Sequence, residues 1–211
     1  MQRLPDHAEQ WPGWAHVLHG IIRGYGQHWH RARWDCSTVP AEGPAILVCN
    51  HVSVLDPLLL IASNFRIISF IIAREYYEQP VLRPFLDAVG CIPARRDGSD
   101  RKVIVRARQV LKEGRVLGIF PEGGIGRGPE AMQEGVAWLV QQTGAPVVPA
   151  RVTNAAQRSS DIRTFLSRQK PCLRYGAPLE LDADLPREEI LQRIIASIES
   201  LADARRLGCY D

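Results

Sequence analysis

Residues 45–57 read Ala45-Ile46-Leu47-Val48-Cys49-Asn50-His51-Val52-Ser53-Val54-Leu55-Asp56-Pro57. The stretch begins with an unbroken apolar run over residues 45–49, which is typical of a strand buried on both faces of a sheet. The run stops at Asn50 and His51, where polar side chains appear. Open α/β sheets place their chemistry at the carboxyl ends of their strands. The pattern therefore predicts a central strand that ends at His51 and presents its imidazole at that edge.

A helix is expected directly after this turn, over residues 57–63. Ser53 and Asp56 are residue types that cap helix N-termini, and Pro57 suits a first helical turn. On one continuous helix His51 and Asp56 would point about 140° apart, but across a strand-to-helix turn they can meet. A carboxylate that holds one imidazole nitrogen leaves the other free as a base toward a hydroxyl group. The alternative is that Asp56 only caps the helix and His51 is an ordinary loop histidine.

Apolar runs and helical patterns alternate along the rest of the chain. Strands are expected at residues 66–73, 91–94, 116–120 and 147–152, with strand-like pieces over 171–181. Helices are expected in short pieces between Tyr76 and Leu86 that Pro80 and Pro84 interrupt, and at residues 99–112, 129–143 and 186–206. This alternation predicts an α/β fold with a mainly parallel or mixed central sheet, helices on both faces, and an N-terminal amphipathic helical segment.

Bulk composition narrows the class of protein. The chain has 211 residues, a net charge of +3 and 45% apolar residues, which are ordinary values for one globular domain. Its five cysteines contain no CxxC pair, so we expect a reducing compartment and no metal site. No basic and aromatic cluster suggests nucleic-acid binding. The first ten residues lack the apolar core of a signal peptide, and no apolar stretch reaches the roughly 20 residues of a membrane span.

The N-terminal region has apolar residues at helical spacing, namely Trp14, Leu18, Ile21, Ile22, Tyr25 and Trp29. Its other face carries His16, His19, Arg23, Gln27 and His30. Such a helix can lie in a membrane interface. In that case Trp14, Trp29 and Trp34 would be interface anchors, and Arg23, Arg31 and Arg33 would face anionic headgroups. The alternative is a helix that packs its apolar side on the domain core.

The spacing of His51 and Asp56 resembles the first motif of the glycerolipid acyltransferase superfamily, which includes the lysophosphatidic acid acyltransferases. Three further blocks follow in that family's order. Gly90-Cys91-Ile92-Pro93-Ala94-Arg95 is similar to its second motif, and Phe120-Pro121-Glu122-Gly123 is similar to its third and most specific one. Ala145-Pro146-Val147-Val148-Pro149 is similar to the fourth, which is weak by itself. The resemblance covers roughly residues 40–155.

The resemblance implies an O-acyltransferase of phospholipid biosynthesis. It would move a fatty acyl group from acyl-coenzyme A or acyl carrier protein to a hydroxyl of a lysophospholipid, first of all 1-acylglycerol-3-phosphate. No cofactor and no metal are implied. The protein is expected to be cytoplasmic and peripheral on the cytoplasmic face of the membrane. Residues 1–40 would form the membrane-contacting helical segment, and residues 41–211 the α/β acyltransferase domain.

The residues of the blocks suit distinct roles in such a reaction. His51 is the predicted base and Asp56 its orienting partner. Arg95 offers a planar fork that matches phosphate geometry, so it is the candidate for an acceptor phosphate. The alternative for Arg95 is an ordinary surface arginine.

The third block contributes three further candidates for substrate binding. Glu122 could accept a hydrogen bond from the acceptor hydroxyl or hold Arg95, or it could only organise its own turn. Gly123 allows close backbone approach. The family then continues with a small hydroxylated residue and an arginine, whereas this chain has Gly124-Ile125-Gly126-Arg127. The displaced Arg127 is the candidate substitute, and the change leaves another lipid acceptor as an alternative.

Other functions remain open at this point. A thioester hydrolase could use the same pair with water, although the chain has no Gly-x-Ser-x-Gly elbow of a serine hydrolase. A different lipid acceptor would leave the reaction class unchanged. A non-catalytic relative that binds lipid or acyl carrier would leave the pair unused.

Overall fold

The computed structural model describes residues 13–95, 101–121, 130–155 and 163–202. These residues form one seven-stranded sheet with the strand order β1-β7-β6-β2-β5-β3-β4. The strands are β1 Arg33–Trp34, β2 Ala45–Cys49, β3 Ile68–Ala73, β4 Ile92–Ala94, β5 Val116–Ile119, β6 Val147–Thr153 and β7 Cys172–Tyr175. All neighbours run parallel except β6 and β7, which are antiparallel. The predicted mixed α/β architecture is confirmed.

Helices cover both faces of this sheet. They are α1 Gly13–Gly24, α2 Asp56–Ser63, α3 Arg74–Tyr77, α4 Arg83–Ala88, α5 Arg101–Lys112, α6 Glu130–Thr143, α7 Arg163–Leu166 and α8 Arg187–Ser200. A π-helical segment, Tyr25–Trp29, continues α1. No helix in these ranges combines the length and the apolar character that a membrane crossing requires.

The central strand β2 is buried along its whole length, as its apolar run predicts. Leu47 and Cys49 face a core shared with α1, α2 and α4, whereas Ile46 and Val48 face a core shared with α5, α6 and α8. Successive side chains of a strand point to opposite faces, so a sheet with helices on both sides needs apolar residues at every position of its central strand.

The ends of the helices follow local sequence signals, with two differences from the prediction. Gly144 directly follows α6, and Gly114 lies two residues after the end of α5. Their φ angles are positive, +61° and +74°, as those of helix-terminating glycines are. Pro84 does not interrupt a helix but lies in the first turn of α4, where a missing N–H costs nothing. The helix expected to reach residue 206 ends at Ser200, and residues 203–211 lie outside the described ranges.

α1 packs on the domain through apolar and polar residues together: Ala15 is buried in the core, and Ile22 packs against it. His19 Nε2 lies 3.0 Å from the carbonyl oxygen of Ile61 and 2.9 Å from that of Asn64. Arg23 Nη1 donates to the carbonyl oxygen of Ala62 at 3.0 Å. The last carbonyls of a helix have no intrahelical partners, so these two side chains satisfy the C-terminus of α2. The expectation that Arg23 faces lipid headgroups is therefore wrong.

Trp34 is not an interface anchor either. It lies in the edge strand β1 and is buried, with Arg23 5.3 Å from the centre of its ring. Trp14 and Trp29 are exposed, as expected of anchors. Among the described cysteines, Cys49, Cys91 and Cys172 are free thiols.

Candidate active site

The end of β2 is held by the side chain of Asn50. Its Nδ2 donates to the carbonyl oxygen of Val152 at 3.0 Å, and its Oδ1 accepts the backbone N–H of the same residue at 2.7 Å. The side-chain amide thereby ties the end of β2 to the neighbouring strand β6. The chain turns away immediately afterwards, so His51 stands at the carboxyl edge of the sheet.

His51 and Asp56 are paired across the turn between β2 and α2. Nδ1 of His51 and Oδ2 of Asp56 are 2.9 Å apart, with the carboxylate fully buried and the imidazole 14% exposed. The same Oδ2 accepts the backbone N–H groups of Val52 at 2.7 Å and Ser53 at 2.8 Å. Asp56 is the first residue of α2 and its side chain does not cap that helix. The interpretation of Asp56 as a mere cap is therefore wrong.

This geometry determines which imidazole nitrogen is available for chemistry. The carboxylate accepts the hydrogen of Nδ1, so the neutral ring carries its lone pair on Nε2. A base with a buried, charged orienting partner can remove a proton from a hydroxyl group and hold the resulting positive charge. The pair therefore has the arrangement that the sequence predicts for a general base.

One face of the imidazole is covered by Phe120, the first residue of the third block. The two rings are stacked, with centroids 4.3 Å apart and planes inclined by 25°. Sequence reasoning missed this contact. The contact depends on the adjacency of β2 and β5, which carry the two blocks in their C-terminal continuations, and no local sequence pattern records that adjacency.

Arg95 follows β4 at the far edge of the sheet and is exposed. The parallel strands β2, β5, β3 and β4 lie side by side, so His51 and Arg95 are at the same carboxyl edge. Three strand spacings separate their strands, which is about 14 Å. Glu122, Gly123 and Arg127 lie outside the described residues, and their roles stay predictions.

The second block is supported by a residue that sequence reasoning missed. Nη2 of Arg115 donates to Ser69 Oγ and to the carbonyl oxygen of Val89, each at 2.8 Å, directly before Gly90. Next to it, burial raises the pKa of the Cys91 thiol to about 11. This thiol stays protonated near neutral pH and is no nucleophile there. In the described part of the chain, no group of three or more His, Cys, Asp or Glu side chains could hold a metal ion.

A histidine paired with a buried aspartate at the carboxyl edge of an α/β sheet is typical of enzymes that activate hydroxyl groups or water. Within this class, the chain belongs to the acyltransferase family, whose family model matches residues 35–153, more than half of its length. The resemblance drawn from the four sequence blocks is thus confirmed, and the protein is an acyltransferase.

Known acyltransferases are similar to this chain in sequence and in structure. The 1-acyl-sn-glycerol-3-phosphate acyltransferase of Bacillus subtilis is 26% identical over 169 residues, which cover 80% of this chain and 82% of the relative. The enzyme of the same name from Borreliella burgdorferi is 28% identical over 120 residues, which cover 55% of this chain and 48% of the relative. The crystal structure of the 1-acyl-sn-glycerophosphate (LPA) acyltransferase PlsC from Thermotoga maritima matches with a TM-score of 0.68 at 19% identity, covering 90% of this chain and 82% of that one.

Proposed function

We propose that the protein transfers a fatty acyl group from an acyl thioester to the free hydroxyl of 1-acylglycerol-3-phosphate, in phospholipid biosynthesis. The observation that carries the proposal is the 2.9 Å contact between His51 and Asp56, which leaves Nε2 of a partly exposed imidazole free. The names of the two relatives support the choice of acceptor.

The proposed reaction begins when Nε2 of His51 takes the proton of the acceptor hydroxyl. The oxygen attacks the thioester carbonyl, and a tetrahedral oxyanion forms. When this intermediate collapses, the carbon–sulfur bond breaks and His51 returns its proton to the leaving thiolate of coenzyme A or acyl carrier protein. Asp56 stabilises the transient imidazolium. Arg95 binds the acceptor phosphate, while Glu122, Gly123 and Arg127 are the proposed further substrate contacts.

The test supplies purified protein with acyl-coenzyme A or acyl carrier protein thioesters, with and without 1-acylglycerol-3-phosphate. Mass spectrometry follows diacylated product and free fatty acid. We expect acceptor-dependent product, and a loss of about 10²- to 10⁴-fold in His51→Ala with an unchanged unfolding temperature. Fatty acid released without acceptor would identify a thioester hydrolase. A folded wild type that binds acyl carrier without any turnover would identify a non-catalytic relative.

We further propose that the exposed face of α1 contacts the membrane that holds the acceptor. Trp14, Val17 and Ile21 recur at helical spacing and are 49%, 64% and 62% exposed. Exposed apolar residues grouped on one face are a feature of interaction surfaces. Residues 1–40 are accordingly the proposed membrane-contacting segment and residues 41–211 the catalytic domain. That this contact is made on the cytoplasmic face of the membrane stays a prediction.

The connection between β6 and β7 supports the same surface. The hydroxyl of Tyr25 donates to the carbonyl oxygen of Phe165 in α7. The guanidinium of Arg168 lies 5.3 Å from the ring centre of the exposed Trp29, and Leu166 is 76% exposed. A basic residue beside such a surface contributes about 1 kcal/mol of attraction to anionic lipid, screened by salt.

Point substitutions test this contact better than removal of the N-terminal residues, because removal would uncover the α2 carbonyls that His19 and Arg23 satisfy. We expect the triple change Trp14→Ser, Val17→Ser, Ile21→Ser to abolish salt-sensitive binding to vesicles that contain phosphatidylglycerol. Val105→Ser is the matched control, since Val105 is 64% exposed on α5. Undiminished binding by the folded triple variant would refute the surface.

A further inference from the structure

Three rings are stacked at the carboxyl edge of the sheet. Phe120 covers one face of His51 at 4.3 Å, and Phe70 lies behind Phe120 with a centroid distance of 5.8 Å and an interplanar angle of 9°. Both phenylalanines are buried. The imidazole is therefore the outermost ring of a stack that continues into the core.

The position of the Phe70 ring in this stack depends on Gly118, which has no side chain. Phe70 and Gly118 are direct partners in the pairing of β3 with β5. A Cβ built on Gly118 would lie 2.4 Å and 2.5 Å from two ring atoms of Phe70, and 2.8 Å from Ile68 Cγ2. The Phe70 ring thus occupies the space above Gly118, and any side chain there would push it out of place.

The stack supplies a constraint that the bond to Asp56 lacks. One hydrogen bond at Nδ1 fixes a point of the ring and leaves its plane free to tilt, whereas an aromatic surface beneath the ring limits that tilt. The face of an aromatic ring also attracts positive charge, so Phe120 favours the imidazolium that forms when His51 takes a proton. Both effects act on the direction and readiness of Nε2.

We propose that Phe120 is a positioning residue for His51, with Phe70 and Gly118 setting its depth. The proposal rests on the proposed role of His51 as the base. It predicts that Phe120 affects turnover rather than substrate binding, because the proposed reaction includes no contact between Phe120 and a substrate.

The kinetic test replaces the ring while keeping an apolar side chain. We expect Phe120→Leu and Phe120→Met to lower kcat by about 10- to 100-fold, the range of a small misplacement of a catalytic group, with little change in either KM. Phe120→Tyr and Phe120→Trp should keep most of kcat. Phe85 of α4 is partly buried and packs against the same apolar core. Phe85→Leu is therefore the control for the general cost of replacing a phenylalanine that packs on this core, and it should keep kcat.

A second pair of variants tests the support behind Phe120. Gly118→Ala should lower kcat by forcing Phe70 toward Phe120. Adding Phe70→Leu to Gly118→Ala should restore part of the lost kcat, since the smaller side chain makes room for the new Cβ.

The spectroscopic test is independent of activity. A ring stacked on Phe120 shifts the carbon-bound imidazole protons of His51 upfield in proton NMR, and His51→Ala identifies those signals. We expect the signals to move downfield in Phe120→Leu and Phe120→Met but not in Phe120→Tyr. Unchanged shifts, or changed shifts with unchanged kcat, would overturn the positioning role. Full activity of His51→Ala would instead refute the base assignment itself, while the shifts still report the stack.

Discussion

The guanidinium of Arg115 fills the space beside Gly90: a Cβ built on Gly90 would lie 2.6 Å from Nη2 and 2.7 Å from Nη1. Gly90 also has a φ angle of +67°, in the left-handed region that favours glycine. Arg115 is held in this place by its bonds to Ser69 and Val89. The turn that leads into β4, and with it the position of Arg95, therefore depends on the residue that directly precedes β5.

Gly90→Ala is expected to destabilise the protein by more than the left-handed conformation alone, which costs roughly 1–2 kcal/mol. The added cost comes from displacing a guanidinium that makes two hydrogen bonds. Gly144→Ala is the matched control, because Gly144 has a φ angle of +61° and nothing within 4 Å of its built Cβ. Denaturant unfolding measures both. Equal losses of unfolding free energy in the two variants would show that the Arg115 side chain moves aside without cost.

Arg95→Ala is expected to raise the KM for 1-acylglycerol-3-phosphate while leaving the KM for the acyl donor unchanged. A charge-assisted hydrogen bond is worth about 1.5–3 kcal/mol, or roughly 10- to 150-fold. Arg95→Lys should recover only part, since a point charge lacks the bidentate fork. Arg83→Ala removes another exposed arginine, one paired with Asp87 at 3.6 Å, and serves as control. Equal losses with an unphosphorylated monoacylglycerol would exclude a phosphate role for Arg95.

Asp56→Asn is expected to separate catalysis from the fold of the turn. The asparagine oxygen can still accept the N–H groups of Val52 and Ser53, but it removes the charge that supports the imidazolium. We expect kcat to fall by about 10²- to 10⁴-fold with a small change in the free energy of unfolding. Asp56→Ala should reduce kcat by a similar factor. It should also lower the free energy of unfolding by about 1–3 kcal/mol, because the buried N–H groups of Val52 and Ser53 lose their acceptor. Near-normal turnover of Asp56→Asn would contradict the role of the pair.

Acid is expected to weaken the attachment of α1 to α2. Burial lowers the pKa of His19 below 6.5, opposed by its contacts with the carbonyls of Asn64 and Ile61 and assisted by the nearby charges of Arg23 and His16. Below pH 6.5 the unfolded chain binds this proton more readily than the folded protein does. The free energy of unfolding should therefore fall as the pH drops from about 6.5 toward the folded pKa.

His19→Gln provides the comparison, because glutamine keeps an N–H donor and does not titrate. Unfolding of both proteins between pH 8 and pH 5 should show a shallower dependence for the variant. Some dependence should remain, since burial also lowers the pKa of His30. Parallel pH dependences of the two proteins would show that His19 has no part in it.

The orientation of α1 could be predicted only in part from the sequence. Its hydrophobic periodicity correctly indicates a helix, but it leaves open whether the apolar face packs on the core or lies in a membrane interface. In the structure the helix packs on the core through Ala15 and Ile22. His19 and Arg23 also contact carbonyls at the end of α2. A helical wheel contains no information about carbonyls on another element.

The sheet order and the supporting contacts were also beyond prediction. The edge strand β1 consists of two residues and has no apolar run, and it exists because β7 offers it a free edge. Arg115 and Phe120 gain their roles only when β5 is placed between β2 and β3. These relationships join residues far apart in the chain, so no local pattern records them.

By itself, the sequence determined the buried strand β2, the alternation of strands with helices, and the pairing of His51 with Asp56. Each of these depends on residues within a few positions of one another, whose burial and geometry follow from local periodicity and turn chemistry. The tertiary structure alone decided which face of α1 looks outward, that Phe120 lies beneath the imidazole, and that Arg115 holds the turn at Gly90. Those outcomes depend on which surfaces and unpaired polar groups meet when the strands are ordered into one sheet.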